Sequence, residues 1–281
     1  MEVEINELKL KEFAQFLCAN EKAPSTISKY IRDVKNLYAY CKKQRKDYIT
    51  KELLVDYKKW LQKARYKPSS INSMIAAVNR YMDYNGSADR LKPLKIQKNP
   101  YRINENRLSR EEYVRLIGEI KKYQDERMEL LVETLGTTGI RIGELKYFDV
   151  VSIKKRQIDV QNKGKIRRVY LSEVLSKKLL AYAEACGKTG NELIFSTKGG
   201  KPLDRSNIWR NLKRYAKKAG LDEEKVYPHN FRHLFATIHY KQYKDLLMLG
   251  TLLGHTNVET TRIYAAIDDE ECKKSVNNLE I

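Results

Sequence analysis

Residues 229–237 read HNFRHLFAT. Two of the chain's four histidines, His229 and His233, stand four apart in it with Arg232 between them. That spacing puts both rings on one helix face, and Pro228 immediately before supplies the fixed φ of a helix start running through 240. Three readings fit such a face: polar packing at a helix start, a metal chelate, or a grip on an anion. The metal reading fits worst, because the segment lacks the glutamate of the HExxH zinc pattern and Arg232 would set a cation against any metal. The choice between the other two depends on the rest of the chain.

Working outward, helices are expected at 243–253 and 257–266, followed by a short polar tail. On the other side, a helix over 205–219 follows the cap Asp204. It gathers Ile208, Leu212, Tyr215, Ala216 and Ala219 on one side, carries Arg210, Lys213, Arg214, Lys217 and Lys218 elsewhere, and stops at Gly220. Another helix covers 173–185. Between them and the chain's middle, QIDVQNKGKIRRVYL at 157–171 breaks the helical period: IDV and VYL flank NKGK, a hairpin with Gly164 in its turn. Helices over 110–121, 125–138 and 142–148 precede it, and Ser109 with Glu112 have the spacing of a capping box. Residues 85–107 hold glycine, two prolines and no sustained period, the profile of a linker. The first ninety residues read as four helices, with apolar stripes such as Ile27, Tyr30, Ile31, Val34, Leu37, Tyr38 and Cys41.

The whole chain has 281 residues, 42% hydrophobic and 32% charged, with a formal charge of +19. Such an excess attracts polyanions without saying which. No apolar run approaches membrane-spanning length, and MEVEINELKLKEF is no signal peptide, so an intracellular protein without membrane attachment is expected. Cys18, Cys41, Cys186 and Cys272 are scattered, which argues against a disulfide framework and a zinc site.

Three segments together resemble the tyrosine recombinases, the phage-integrase and Xer-like family. TTGIRIGEL at 137–145 is similar to its TGLRxSEL stretch, HNFRHLFAT to its HxLRHxxAT box, and LLGHTNVETTRIY at 252–264 to its LGHxxxxxTxxY close. The resemblance implies a mainly α N-terminal core-binding domain over 1–90, a linker over 91–107, and a mixed α/β catalytic domain with a small β-hairpin over 108–281. It also implies a catalytic set: the arginines Arg141 and Arg232, the histidines His229 and His255, the nucleophile Tyr264, and a hairpin lysine. Lys163 matches the lysine best, although NKGKIRR is one residue shorter than the usual GKGxKxR and Lys165 competes. His233 falls where the family often has histidine, in a supporting role. Taken singly, each residue has a plainer reading: Arg141 as an ion-pair partner of Glu144, Lys163 as a solvated turn residue, His255 as a helix cap, Tyr264 as an anchor for the last helix. The ordered set makes those readings the weaker account.

The chemistry the resemblance implies suits these residue types. A phenol attacks the phosphorus, guanidinium forks hold the non-bridging oxygens, histidine takes or positions the phenol's proton, and an ammonium protonates the departing 5′ oxygen. The resulting 3′-phosphotyrosine conserves the energy of the broken bond, so no metal ion or cofactor is required. The implied partners are double-stranded DNA with paired or inverted-repeat core sites, a homotetramer on two duplexes, and an accessory or directionality protein, with the enzyme cytoplasmic and nucleoid-associated. The tail after Tyr264 resembles a segment that docks on a neighbouring protomer. A type IB-like topoisomerase and an inactive architectural DNA-binding protein are the rivals.

Overall fold

The computed structural model describes residues 2–96, 106–162, 165–255, 257–264 and 277. The chain divides into two compact units, Met1–Lys98 and Asn99–Ile281.

In the first unit the apolar stripes become four helices: α1 (Glu7–Ala19), α2 (Pro24–Lys43), α3 (Lys51–Lys63) and α4 (Pro68–Tyr84). Asn6 and Thr50 cap α1 and α3 through their side-chain oxygens, while Pro24 and Pro68 open the other two. The stripes meet in a core that includes Phe13, Leu17, Leu37, Tyr57, Leu61, Val78 and Tyr81. Burying two tyrosines requires partners for their hydroxyls: Tyr57 donates to Asn36 Oδ1 at 2.8 Å and Tyr81 to the Glu4 carbonyl at 2.9 Å. Two short strands, β1 (Val3–Glu4) and β2 (Tyr48–Ile49), pair antiparallel beside the helices. Leu91 also joins this core. Asn79 and Asn72 each clamp an extended residue by its backbone, accepting the N–H of Leu91 and Leu94 at 2.9 and 2.7 Å and donating to their carbonyls at 3.0 and 2.9 Å.

The second unit opens on α5 (Arg110–Lys122), started by the reciprocal capping box of Ser109 and Glu112 that the sequence announces. Next come α6 (Glu126–Thr138), a 3-10 turn (Ile142–Tyr147) and α7 (Val150–Lys154). The hairpin follows as β3 (Gln157–Asn162) and β4 (Lys165–Tyr170), whose register runs from Gln157 opposite Tyr170 to Asn162 opposite Lys165. Lys163 and Gly164, the turn, lie outside the described residues. Then come α8 (Glu173–Ala185), α9 (Arg205–Lys218), α10 (Pro228–Tyr243), α11 (Leu246–Leu253) and α12 (Glu259–Arg262). One core, including Leu116, Ile120, Leu131, Leu135, Phe148, Ile153, Val160, Leu212 and Phe231, runs from α5 to α10, and a smaller one of Ala236, Leu249, Leu253 and Tyr264 joins α10 to α11 and the last turn.

Two expectations need correction. The helix expected at 142–148 is a 3-10 turn, because the Glu144 N–H donates three residues back to the Arg141 carbonyl at 2.7 Å while its carboxylate folds over Arg141. Among the described residues, the helix expected at 257–266 is regular over Glu259–Arg262, after which the Tyr264 N–H reaches the Thr261 carbonyl at 2.9 Å in a tight turn; 265 and 266 lie outside the described residues. Residues 265–276, and with them most of the tail expected to dock on a neighbour, lie outside the described residues.

Candidate active site

α10 is the spine of the site. Its apolar face seats Phe231 and Leu234 in the main core, and the same turn carries Arg232 inward with only 2% of its surface exposed. A cation so deep requires hydrogen-bond acceptors. Arg232 finds two at places where helices end: Nη1 donates to the Gly139 carbonyl at 2.8 Å and Nη2 to the Leu253 carbonyl at 2.6 Å. Both helix ends need glycine. Gly139 closes α6 with φ of 61°, and a Cβ there would collide with the Phe235 ring; Gly254 closes α11 with φ of 64°, and a Cβ there would collide with Arg167. The carbonyls that hold Arg232 therefore come from the TTG and LLG segments of the other two sequence boxes.

Arg141 sits two residues past Gly139, at the cap of the 3-10 turn. Its N–H donates to Glu144 Oε2 at 2.8 Å and its Nη1 to Oε1 at 3.1 Å, leaving the side chain about one-third exposed (32%). The ion pair with Glu144 thus exists, but it is shared. Arg167 on β4 donates from Nη2 to Glu144 Oε2 at 2.6 Å and from Nη1 to the Leu252 carbonyl at 2.8 Å, and its buried Nε has no partner. Three guanidinium groups thereby crowd about one buried carboxylate. The crowding registers on Arg232, whose pKa is pushed down to about 10 by burial first, then by Arg141 and Arg167, against the opposing pull of Glu144. It remains a cation at neutral pH, and among the described residues three guanidinium groups face one carboxylate.

The histidines lie against this charge. His255 is pushed down to about 4 by burial and then by Arg232, Arg141 and Arg167; its Nδ1 is 2.9 Å from Thr261 Oγ1. His229 is lowered by lost solvation, then by Arg232 and Arg141. His233, whose ring centroid is 5.4 Å from that of His229, is pushed down to about 4 by burial and then by His229, Arg107 and Arg232. All three shifts favour the neutral ring.

Tyr264 is 8% exposed, packed with Ala236, Leu249 and Leu253, and its Oη is 2.8 Å from His233 Nδ1. Burial raises its pKa while Arg232 and Arg107 pull it down. With the imidazole proton on Nε2, the phenol donates to Nδ1, which orients the hydroxyl.

Of the six residues expected at the site, Arg141, His229, Arg232, His255 and Tyr264 are linked by these contacts and mutual charge effects. Lys163 lies outside the described residues, and of its competitor Lys165 only the backbone, in β4, is described. Arg167 was not anticipated. It shares a strand face with buried Val169 two residues on, so strand alternation carried the signal. The direct contact of His233 with the phenol was not legible either. Among the described residues, no group of acidic, histidine and cysteine side chains is arranged to hold a metal ion, and no helix is long and apolar enough to cross a membrane.

Three guanidinium groups gathered about one carboxylate, beside a phenol hydroxyl held by a histidine, define a class: proteins whose site suits an anion. Comparison with known proteins narrows that class. Residues 106–271 match the model of the phage integrase family, and residues 10–86 match the phage integrase N-terminal SAM-like domain. The chain is 29% identical over 272 residues to tyrosine recombinase XerD of Vibrio cholerae serotype O1, covering 91% of this chain and 90% of the relative. It is also 29% identical over 286 residues to tyrosine recombinase XerA of Thermococcus kodakarensis, covering 97% and 95%. Among solved structures, XerH site-specific recombinase bound to its difH substrate superposes with a TM-score of 0.73 at 20% identity, over 98% of this chain and 85% of that one. The chain belongs to the phage integrase family of tyrosine recombinases, enzymes of site-specific DNA recombination.

Proposed function

We propose that Tyr264 is the nucleophile that cuts one DNA strand and carries its 3′ phosphate, and that Arg141 and Arg232 hold the phosphate while it does so. The observation that carries this reading is the charge balance among the described residues: Arg141, Arg167 and Arg232 gather about Glu144, beside a phenol whose hydroxyl is held by His233. A phosphodiester entering the pocket brings the missing negative charge. The transition state brings more, so pre-placed guanidinium groups stabilise it further. Their planar forks suit the two non-bridging oxygens.

The histidines divide the remaining work. His233 orients the phenol; His229 and His255, neutral beside the arginines, have the protonation state needed to donate hydrogen bonds to the phosphoryl oxygens or accept the phenol's proton. Lys163 on the hairpin turn is the proton donor for the 5′ oxygen, with Lys165 as the competing assignment. The attack forms a phosphorus–oxygen bond to Tyr264, breaks the bond to the 5′ oxygen, and that oxygen leaves as a hydroxyl. A 5′ hydroxyl from a second duplex then displaces Tyr264 and restores the backbone. Neither ATP nor a metal ion enters this balance.

The division of labour along the chain is a helical core-binding module near 1–90, a connector over 91–107, and the catalytic module from 108 to 281. The substrate is duplex DNA with paired or inverted-repeat core sites. Exchange of two duplexes, each cut on both strands, requires four tyrosines and hence a homotetramer, with accessory proteins setting direction. Such an enzyme works at the nucleoid. Support comes from relatives solved on DNA, XerH on difH and a lambda integrase tetramer on a Holliday junction. The test is covalent trapping on fragments carrying inverted repeats. The chain is expected to form a metal-independent adduct at reproducible positions and Tyr264→Phe none; an adduct with the phenylalanine variant overturns the assignment.

A further inference from the structure

Arg107 lies at the entrance to the second unit, in the segment whose sequence reads as linker, and none of the chemistry above uses it. Its placement is nonetheless specific. Nη2 is 3.4 Å from the Ile263 carbonyl, the residue immediately before Tyr264, and the guanidinium carbon lies 5.9 Å from the centre of the Tyr264 ring. Its Nε is buried and has no hydrogen-bond partner. The backbone that presents it is fastened by the site's own helix: Asn230, 1% exposed, donates through Nδ2 to the Asn106 carbonyl at 2.6 Å and to the Lys225 carbonyl at 2.7 Å. Two residues of the HNFRH segment thus reach the nucleophile by separate routes, His233 directly and Asn230 through Asn106 and its neighbour Arg107.

We infer that Arg107 is a positioning residue for the nucleophile: it grips the turn that carries Tyr264 and sets a cation against the phenol ring. The inference rests on Tyr264 being the nucleophile. A guanidinium over an aromatic face is attracted by the ring quadrupole, and it favours the phenolate more strongly still, because there it meets a full negative charge. Among the described residues, the groups facing the phenol are His233 and Arg232 from α10, Arg107 from the entry segment, and the apolar Leu249 and Leu253 from α11. Arg107 and Arg232 are the two cations among them that pull the phenol toward ionisation, and Arg232 is already bonded to Gly139 and Leu253.

The test compares wild-type chain with Arg107→Gln, which keeps a polar hydrogen-bonding side chain and loses charge, and Arg107→Lys, which keeps charge. Each is assayed for covalent adduct formation from pH 7 to 11, so that the profile reaches the bend of its rising limb, on a DNA strand with an ordinary 5′ oxygen leaving group and on one with a bridging 5′ sulfur. Sulfur leaves without a proton donor, so a defect on the leaving-group side is relieved by it and one on the nucleophile side is not. Arg107→Gln is expected to slow adduct formation about tenfold on both substrates, with the rising limb of its pH profile moved to higher pH and DNA affinity unchanged. Arg107→Lys is expected to return the limb toward wild type. A wild-type rate and limb in Arg107→Gln, or a slow rate with an unmoved limb shared by both variants, overturns the inference. Absence of any adduct with the wild-type chain would instead overturn the assignment of Tyr264.

Discussion

The two units handle buried polarity in opposite ways. In the first, polar atoms reach the interior on the tips of apolar side chains: the hydroxyls of Tyr57 and Tyr81 each find one uncharged acceptor, and the one buried carboxylate among the described residues, Asp33, meets Lys29 at 2.9 Å. In the second, a whole guanidinium is buried at Arg232, a carboxylate at Glu144, and their partners come from segments up to 93 residues apart in sequence. The first arrangement holds a shape. The second gathers three guanidinium groups about one carboxylate among the described residues, an excess of positive charge that suits an anion-binding site better than a structural core.

That contrast breaks most readily at its centre. Arg232→Met removes a cation and leaves the carbonyls of Gly139 and Leu253 without donors; it is expected to cost about 3–5 kcal/mol of stability and to abolish adduct formation. Tyr57→Phe, which loses one hydroxyl bond in the first unit, should cost about 1 kcal/mol. Urea denaturation of both full-length variants checks the ratio, and equal costs would erase the distinction drawn between the units.

Glu144→Gln sharpens the same point with a smaller effect. The amide keeps one acceptor for the Arg141 N–H but loses the charge that Arg141 and Arg167 share, at an expected cost of about 2–3 kcal/mol. Because the arginines then lose the carboxylate they share, added sulfate should raise the melting temperature of Glu144→Gln more than that of wild type. Equal sulfate responses would show that the pocket's charge is not what binds the anion.

Acidification separates the units more gently. All four histidines, at 229, 233, 239 and 255, belong to the second unit, and each is lowered, first by burial. Their unfolded value is about 6.5. Above that pH folded and unfolded forms are both neutral and the stability is intact. As pH falls toward 4, the value to which His233 and His255 are pushed, the unfolded chain binds protons that the fold rejects, and stability declines. Hydrogen exchange of the full chain at pH 7 and 5, corrected for intrinsic rates, should show protection lost mainly in residues 106–255.

What could be read in advance follows the same division. The helices of the first unit were legible because each carries a one-sided apolar stripe and a cap or proline, as α2 does from Pro24 through Val34, Leu37 and Cys41. α8 appears at its expected residues, and α9 begins on the expected cap Asp204. Elements made by distant partners were not legible. β1 and β2 are two residues each, and Leu91 and Leu94 are held by asparagine side chains of α4. α7 spans five residues, too short for a period, and the 3-10 turn depends on where Glu144 points. At the site, motif spacing led to Arg141, His229, Arg232, His255 and Tyr264 but not to what surrounds them. Arg167 and Arg107 carry no motif, and only packing brings them to Glu144 and to Tyr264.

The most direct measurement is the identity of the bond itself. Trapped DNA–protein adduct, digested with protease and nuclease and analysed by mass spectrometry, is expected to yield one peptide containing Tyr264 esterified to a 3′ phosphate, with a free hydroxyl on the 5′ side of the break. A phosphate on any other residue, or a 5′ linkage, would contradict the account.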